Sequence, residues 1–347
     1  MTTEPVAALA AYRLSDEPID VASWDRLVAD AERHGLIGLL AAAVDDGVLA
    51  PDEQQRVELE AQHEAYMVAA MALERTLLEV DVLVADAAVP TRVLKGPALA
   101  HGVALDPSHR TFGDIDLLVP GEHIDRAISI LLAAGAERPS PELAPGYDRR
   151  FAKSVTLVWG AHEIDLHRTL APGPFGVWVD QASLWAEGSA FTLADRKLAT
   201  LDRERHLVHA CYHAVLGDVE PRLSSLRDIA LLAADPDLDE QQVRSLALGW
   251  RGEAVVAAGL GMTAERLPGR AGPLFEWADR CEPPADQQRA LSSYRTEHRR
   301  FARQSLATLR ALDGWGDRLA FGRAVAWPSR AHLDARGLTR WRHLVRR

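Results

Sequence analysis

Lysine is almost missing from this chain: Lys95, Lys153 and Lys197 stand against 36 arginines. The two cations differ in size, hydration and hydrogen-bond geometry, so a lysine kept in an arginine-rich chain marks a place that wants a compact ammonium. Lys95 is the one singled out by its surroundings, as shown below. Cysteine is equally scarce. Cys211 and Cys281 are the only two, which excludes a disulfide framework. Charges interrupt every hydrophobic run well before the roughly 20 residues that span a bilayer, so no membrane-spanning role is expected. The stretch from Met1 to Asp20 has no basic flank followed by an apolar core, the mark of a secretory signal, and a cytoplasmic protein is expected. Neither a Gly-x-x-x-x-Gly-Lys-Ser/Thr phosphate loop nor a His-Glu-x-x-His zinc motif occurs, and no motif supports serine-based hydrolysis.

What is present fits a folded chain of ordinary composition. Hydrophobic residues make up 48% and charged residues 26% of 347, which excludes disorder and leaves room for two or three structural units. The formal net charge is -11. Affinity for nucleic acid comes mainly from cations that neutralise phosphates, so nucleic acid is an unfavoured partner and a small or local substrate is expected. The densest basic run, Arg336, Arg340, Arg342, Arg346 and Arg347, reads as a solvated helix end.

Three regions follow from the pattern. Residues 1–87 read as an N-terminal helical region, with apolar residues at three- and four-residue spacing through Leu36-Ile37-Leu39-Leu40 and Met67-Met71-Leu73-Leu77. A helix start is expected at Pro51-Asp52-Glu53-Gln54. Residues 88–190 show short apolar runs divided by Gly, Pro and Asp, the texture of strands alternating with helices. Strands are expected at Thr91–Leu94 and Ile115–Val119, a helix at Ile124–Leu132 closed by Gly135, and a hairpin of Val155–Trp159 with Glu163–His167 around Gly160. Residues 191–347 read as a C-terminal helical domain, clearest at Arg196–Leu216, Pro221–Ala234, Glu240–Trp250 and Asp286–Leu312. The pattern therefore places strands alternating with helices between two helical regions.

The chemistry concentrates in the middle region. Side chains alternate faces along a strand, so Asp114 and Asp116 point one way while Ile115 and Leu117 point the other. The same alternation sets Glu163, Asp165 and His167 against Ile164 and Leu166. Paired carboxylates are costly to bring together unless cations neutralise them, and hard oxygen ligands suit Mg²⁺ or Mn²⁺. A third carboxylate on an adjacent strand would complete a two-metal site, with ions about 3.5 to 4 Å apart, for phosphoryl or nucleotidyl transfer. Lys95, at the end of the preceding strand, and Arg110 suit triphosphate binding, and Gly96 lets the backbone approach closely.

An Asp-x-Asp pair alone is a weak signal, since it describes many solvated strand ends. Its setting is more specific: Leu94-Lys95-Gly96, then Arg110, then Gly113-Asp114-Ile115-Asp116-Leu117-Leu118-Val119, then Glu163-Ile164-Asp165-Leu166-His167. This order resembles the uncharacterised nucleotidyltransferase family within the DNA polymerase beta-like superfamily. The resemblance is close over about Val89–Leu170, and His209, His213, Arg222-Leu223 and Asp228 are similar to that family's helical part. It implies an α+β fold, a small mixed sheet flanked by helical regions, with a nucleoside triphosphate donor and Mg²⁺. It further implies Asp114, Asp116 and Asp165 as metal ligands, with Asp165 also a general base and Glu163 the fallback. Lys95-Gly96 stands where the superfamily at large has Gly-Ser, so a serine grip on the triphosphate is not carried over.

Other residues have plainer readings. His206, His209 and His213 share one helix face, which suits packing between helices or lining an acceptor cleft better than ligating a transition metal, as no Cys or Glu stands at metal-motif spacing. Lys153 reads as a surface-strand lysine, with phosphate contact as the alternative. His167 shares a face with Asp165; Arg168 points elsewhere and pairs with an exposed acid. Tryptophans, Trp159 and Trp178 included, read as packing residues. The expected activity is transfer of a nucleoside monophosphate from a triphosphate to a hydroxyl or phosphate acceptor, with pyrophosphate released. A phosphotransferase on the same metals and a catalytically silent binding module are the alternatives.

Overall fold

A computed structural model describes residues 4–186, 188–217, 220–295 and 301–337. Six strands, β1 (Arg92–Val93), β2 (Asp114–Leu118), β3 (Ser154–Trp159), β4 (His162–His167), β5 (Ser189–Leu193) and β6 (Arg196–Thr200), form one sheet in the order β3-β4-β2-β1-β6-β5. The sheet is mixed. β2 runs parallel to β4 with Asp114 beside Glu163 and Asp116 beside Asp165, while β1 is antiparallel to β2 and parallel to β6. Helices make up most of the rest, so the α+β class holds.

The alternation read from the sequence decides what each face of the sheet meets. Ile115 and Leu117 with Ile164, Leu166, Val155 and Leu157 form one apolar face. It packs against Leu73, Leu77, Val80 and Val84 of the helix Glu53–Asp86 and Ile124, Ala127, Ile128 and Leu131 of the helix Ile124–Ala133. The opposite face carries Asp114, Asp116 and Leu118. Leu118 joins a second core in which the N-terminal helices Trp24–His34 and Ile37–Asp45 pack with Arg203–Leu216, Leu223–Ala233 and Glu253–Arg266. The 34-residue helix Glu53–Asp86 reaches both cores, with Leu59 in the second. Its start is fixed by a capping box in which Asp52 and Gln55 satisfy each other's backbone N–H.

Two helix boundaries differ from the sequence reading. Arg196–Leu216 is not one helix: residues 196–200 are β6, paired with β5 across a turn at Ala194-Asp195, and the helix begins at Arg203. Phe191, Leu193, Leu198 and Thr200 are buried while Thr192, Lys197 and Ala199 are exposed, a period of two that a helix cannot satisfy. Asp202 then caps the helix by accepting from the Arg205 N–H. The expected helix Asp286–Leu312 is also divided, into Ala285–Ser292 and Phe301–Ala311. Between them the chain turns so that Tyr294 packs beside Phe175, with ring centroids 6.4 Å apart. Helices Trp315–Ala326 and Arg330–Ala335 flank Trp327-Pro328. Of the basic C-terminal run, Arg336 follows the last helix, and Arg340, Arg342, Arg346 and Arg347 lie outside the described residues. Among the described residues no helix is long and apolar enough to cross a membrane.

Candidate active site

The sheet's polar face brings the expected acids together. Asp116 is 2% exposed and lies at mid-strand in β2, with Asp165 beside it in β4. Its Oδ1 accepts from His167 Nε2 at 2.7 Å, and its Oδ2 lies 2.8 Å from Lys95 Nζ. Burial alone would raise the Asp116 carboxyl; the His167 hydrogen bond and charge, with Lys95 added, outweigh it and hold the group well below the usual carboxylate range. Asp165 accepts from Thr156 Oγ1 at 2.5 Å through Oδ1, and its Oδ2 lies 3.9 Å from His167 Nε2. Asp114, nearer the strand start, is raised by burial and by the negative charges of Asp116 and Asp165. Glu163 is raised by burial and by the same acids, yet it stands exposed at the edge of the cluster.

Lys95 is delivered by a tight turn. The Leu94 N–H donates to Asp116 O at 3.0 Å, extending the β1–β2 pairing by one residue. At Gly96 the backbone then takes φ 45°, ψ -114°, which side-chain-bearing residues avoid. Pro97 opens the helix Pro97–Gly102 directly afterwards. Burial opposes the Lys95 charge, but Asp116 and Asp114 more than compensate and raise its pKa.

Arg110 closes the same corner from another side. It is held bidentately by Asp228, with Nε–Oδ1 and Nη2–Oδ2 both 2.9 Å, while Nη1 donates to Gly96 O at 3.3 Å. The Asp228 pair outweighs the burial cost and raises the guanidinium pKa. Arg110 thus ties the Leu223–Ala233 helix to the turn that carries Lys95.

Lys153 is half-buried rather than a surface lysine. Burial lowers its pKa, the Lys95 charge lowers it further, and Asp116, Asp165 and Asp114 pull the other way. Two of the chain's three lysines are therefore within electrostatic reach of one carboxylate cluster.

The histidines of the Arg203–Leu216 helix face the same region from above the sheet. His206 and His209 are buried. Thr200 Oγ1 donates to Val93 O at 2.6 Å, so His206 Nε2, 2.7 Å away, donates to the threonine. Burial brings His206 down to about 4 and His213 to about 3, and lowers His209 well below the ordinary value. All three are neutral at neutral pH. A polar cavity of about 250 Å³ opens beside Asp114, and Lys95, Gly96, Arg110, His213 and Arg222 face it.

Among the described residues, Asp116, Asp165 and His167 can each offer a ligand atom, all within 4.8 Å of one another. The set fits a hard divalent cation. Two carboxylates supply oxygen, and the repulsion that raises Asp114 is what a cation would relieve. Thr156 escaped the sequence reading, although counting outward from the Gly160 hairpin places it opposite Asp165. Trp178 packs edge-on to Phe175 as expected, and Trp159 packs against the sheet core. Arg168, just past the end of β4, has its Nε donate to Ala152 O at 2.9 Å, and among the described residues it pairs with no acid.

A family model described as uncharacterised nucleotidyltransferase matches residues 20–268, which includes every residue named in this site. No curated protein and no solved structure matches the chain.

Proposed function

The chain belongs to the uncharacterised nucleotidyltransferase family, and from that premise we propose that it moves a nucleoside monophosphate group from a nucleoside triphosphate to a hydroxyl or phosphate acceptor, releasing pyrophosphate. The observation that carries this reading is the convergence of Asp116, Asp165 and His167 within 4.8 Å, with Asp114 alongside and Lys95 ion-paired to Asp116. The acceptor is taken to be a small metabolite, a natural-product peptide or a protein, since a chain of charge -11 is poorly suited to nucleic acid. A cytoplasmic setting goes with this reading.

In this reading residues 88–190 carry the chemistry, and the helical regions 1–87 and 191–347 shape the acceptor side. Asp114, Asp116 and Asp165 would hold Mg²⁺ or Mn²⁺. The bound ion would neutralise charge on the phosphates and on the departing pyrophosphate. Lys95, Gly96 and Arg110 would receive the phosphates. Lys95 meets them with a point charge, Gly96 with close backbone approach, and Arg110 by holding the turn rigid while facing the same cavity. Asp165 has one oxygen engaged by Thr156 and the other, among the described residues, without a hydrogen bond, which suits it to take the proton of an acceptor hydroxyl. His167 holds Asp116 in one orientation through its Nε2–H.

Product analysis tests the proposal. The protein is incubated with Mg²⁺, triphosphates labelled at the α- or the γ-phosphate, and a panel of hydroxyl-bearing acceptors. Transfer of the α-label with pyrophosphate release is expected. Transfer of the γ-label would assign a phosphotransferase instead, and triphosphate binding without any transfer would assign a binding module.

A further inference from the structure

A second cavity, about 730 Å³ in volume, lies at the other end of the same strands. The carboxylate site sits where β2 begins, at Asp114, and where β1 gives way to Lys95. The second cavity is lined by Pro120 and Gly121, just past the end of β2, by Pro90, just before β1, and by Arg168, just past the end of β4. Six residues of extended chain separate Asp114 from Pro120, roughly 20 Å at about 3.3 Å per residue. The two cavities therefore open on opposite edges of the sheet.

Arg168 is the unusual group here. Its stem runs against Gly121, where a Cβ would meet Arg149 O at 2.9 Å and the Arg168 side chain at 3.5 Å. Its Nε is used by Ala152 O. Among the described residues it has no ion pair, and its two Nη nitrogens have no hydrogen bond. The other arginines near the cavity are satisfied: Arg149 pairs with Asp125 at 3.1 Å, and Arg92 lies over the Trp185 ring at 5.3 Å. Glu122 and His123 also face the cavity, and Glu122 is exposed and makes no ion pair with Arg168. Burial brings the Arg168 pKa down to about 10, so it remains a cation at neutral pH; Tyr147, the one group that pulls the other way, is itself pushed up to about 12 by burial and stays neutral. Arg168 is half-buried, where an ion pair is screened less than on an open surface. It lines the open cavity with Nη N–H groups that no described residue engages, and such a fork is matched by a phosphate or carboxylate.

We propose that this cavity is a second ligand site, distinct from the carboxylate cluster, in which Arg168 binds the oxyanion of a phosphate-bearing ligand. Trp185 on its wall adds an aromatic surface for whatever carries the phosphate. The inference does not depend on the proposed transfer reaction, because anion binding at this edge needs no divalent cation.

The test is calorimetric titration of the full chain with pyrophosphate, and separately with ADP, in EDTA. One site per chain is expected. Arg168→Gln should weaken it at least tenfold, and so should Ala182→Glu, which sets a carboxylate at an exposed position of the cavity wall. Arg222→Gln, at an exposed arginine facing the carboxylate-site cavity, should leave affinity within twofold. Circular dichroism and melting of each variant establish that it is folded, and Ala182→Glu keeps the test decisive if Arg168→Gln is not. ADP bound tighter than pyrophosphate would make the ligand a nucleotide, and equal affinity would make it a free oxyanion; both support the site. No anion binding at millimolar concentration in the parent chain, unchanged affinity in folded Arg168→Gln or Ala182→Glu, or loss in Arg222→Gln would overturn it.

Discussion

His167 donates its Nε2–H to Asp116 across adjacent parallel strands at 2.7 Å, with His167 fully buried and Asp116 nearly so. A buried carboxylate that loses a donor keeps its desolvation cost, about 1–3 kcal/mol or more for a charged group. His167→Leu is expected to destabilise the protein by that order, and by much less when Asp116 is already Leu, which offers no acceptor. Urea unfolding of the four members of the double-mutant cycle measures the coupling. Additive effects would mean the bond does not contribute.

Lys95 sets an ammonium 2.8 Å from the other oxygen of Asp116. Removing one partner of a buried pair leaves an uncompensated charge and costs about 3–5 kcal/mol. Lys95→Met should therefore melt markedly lower without divalent cation, and Mg²⁺ should restore part of the loss by taking over the neutralisation of Asp116. A melting temperature for Lys95→Met that Mg²⁺ leaves unchanged would argue against a cation at this carboxylate.

Arg110 holds Asp228 through two parallel bonds, a geometry that a lysine cannot reproduce. Arg110→Lys keeps the charge but should lose about 1–3 kcal/mol, most of it absent when Asp228 is Ala. Thermal unfolding of the single and double variants distinguishes this from a simple charge requirement, under which lysine would substitute freely.

His206 gives a pH prediction with a definite sign. Its folded pKa is about 4, against about 6.5 in an unfolded chain. Above pH 6.5 both states are neutral and the full stability is present. Between about 6.5 and 4 the unfolded chain takes up a proton that the fold does not, so stability falls as pH falls, by on the order of 3 kcal/mol for this group. Urea unfolding at pH 7.5 and 5 should show the loss, and His206→Asn should reduce the difference. An unchanged pH dependence in the variant would contradict the assignment.

The carboxylate face was legible because a strand has period two. Once Asp114, Asp116, Glu163 and Asp165 are set on strands, their common face follows, and parallel pairing aligns Asp116 with Asp165. β6 was misread as helix because Arg196–Leu201 lacks a Gly or Pro to announce its turn, and the left-handed residue there is Ala194. Lys153 looked like a surface residue because nothing in its neighbours along the chain records that it comes within electrostatic reach of Lys95 and the acids of β2 and β4. Arg168 was expected to find an acid for the same reason: a sequence shows which residues are charged, whereas only packing decides which of them are left without a partner.

The central claim is that Asp114, Asp116 and Asp165 hold a divalent cation for a nucleoside triphosphate. Calorimetry of the four common triphosphates with Mg²⁺ or Mn²⁺, on the parent chain and on Asp114→Ala/Asp116→Ala, tests it most directly. The account predicts cation-dependent binding of at least one triphosphate that disappears in the double variant. Binding that persists in the folded double variant, or no binding of any triphosphate with either cation, would contradict it.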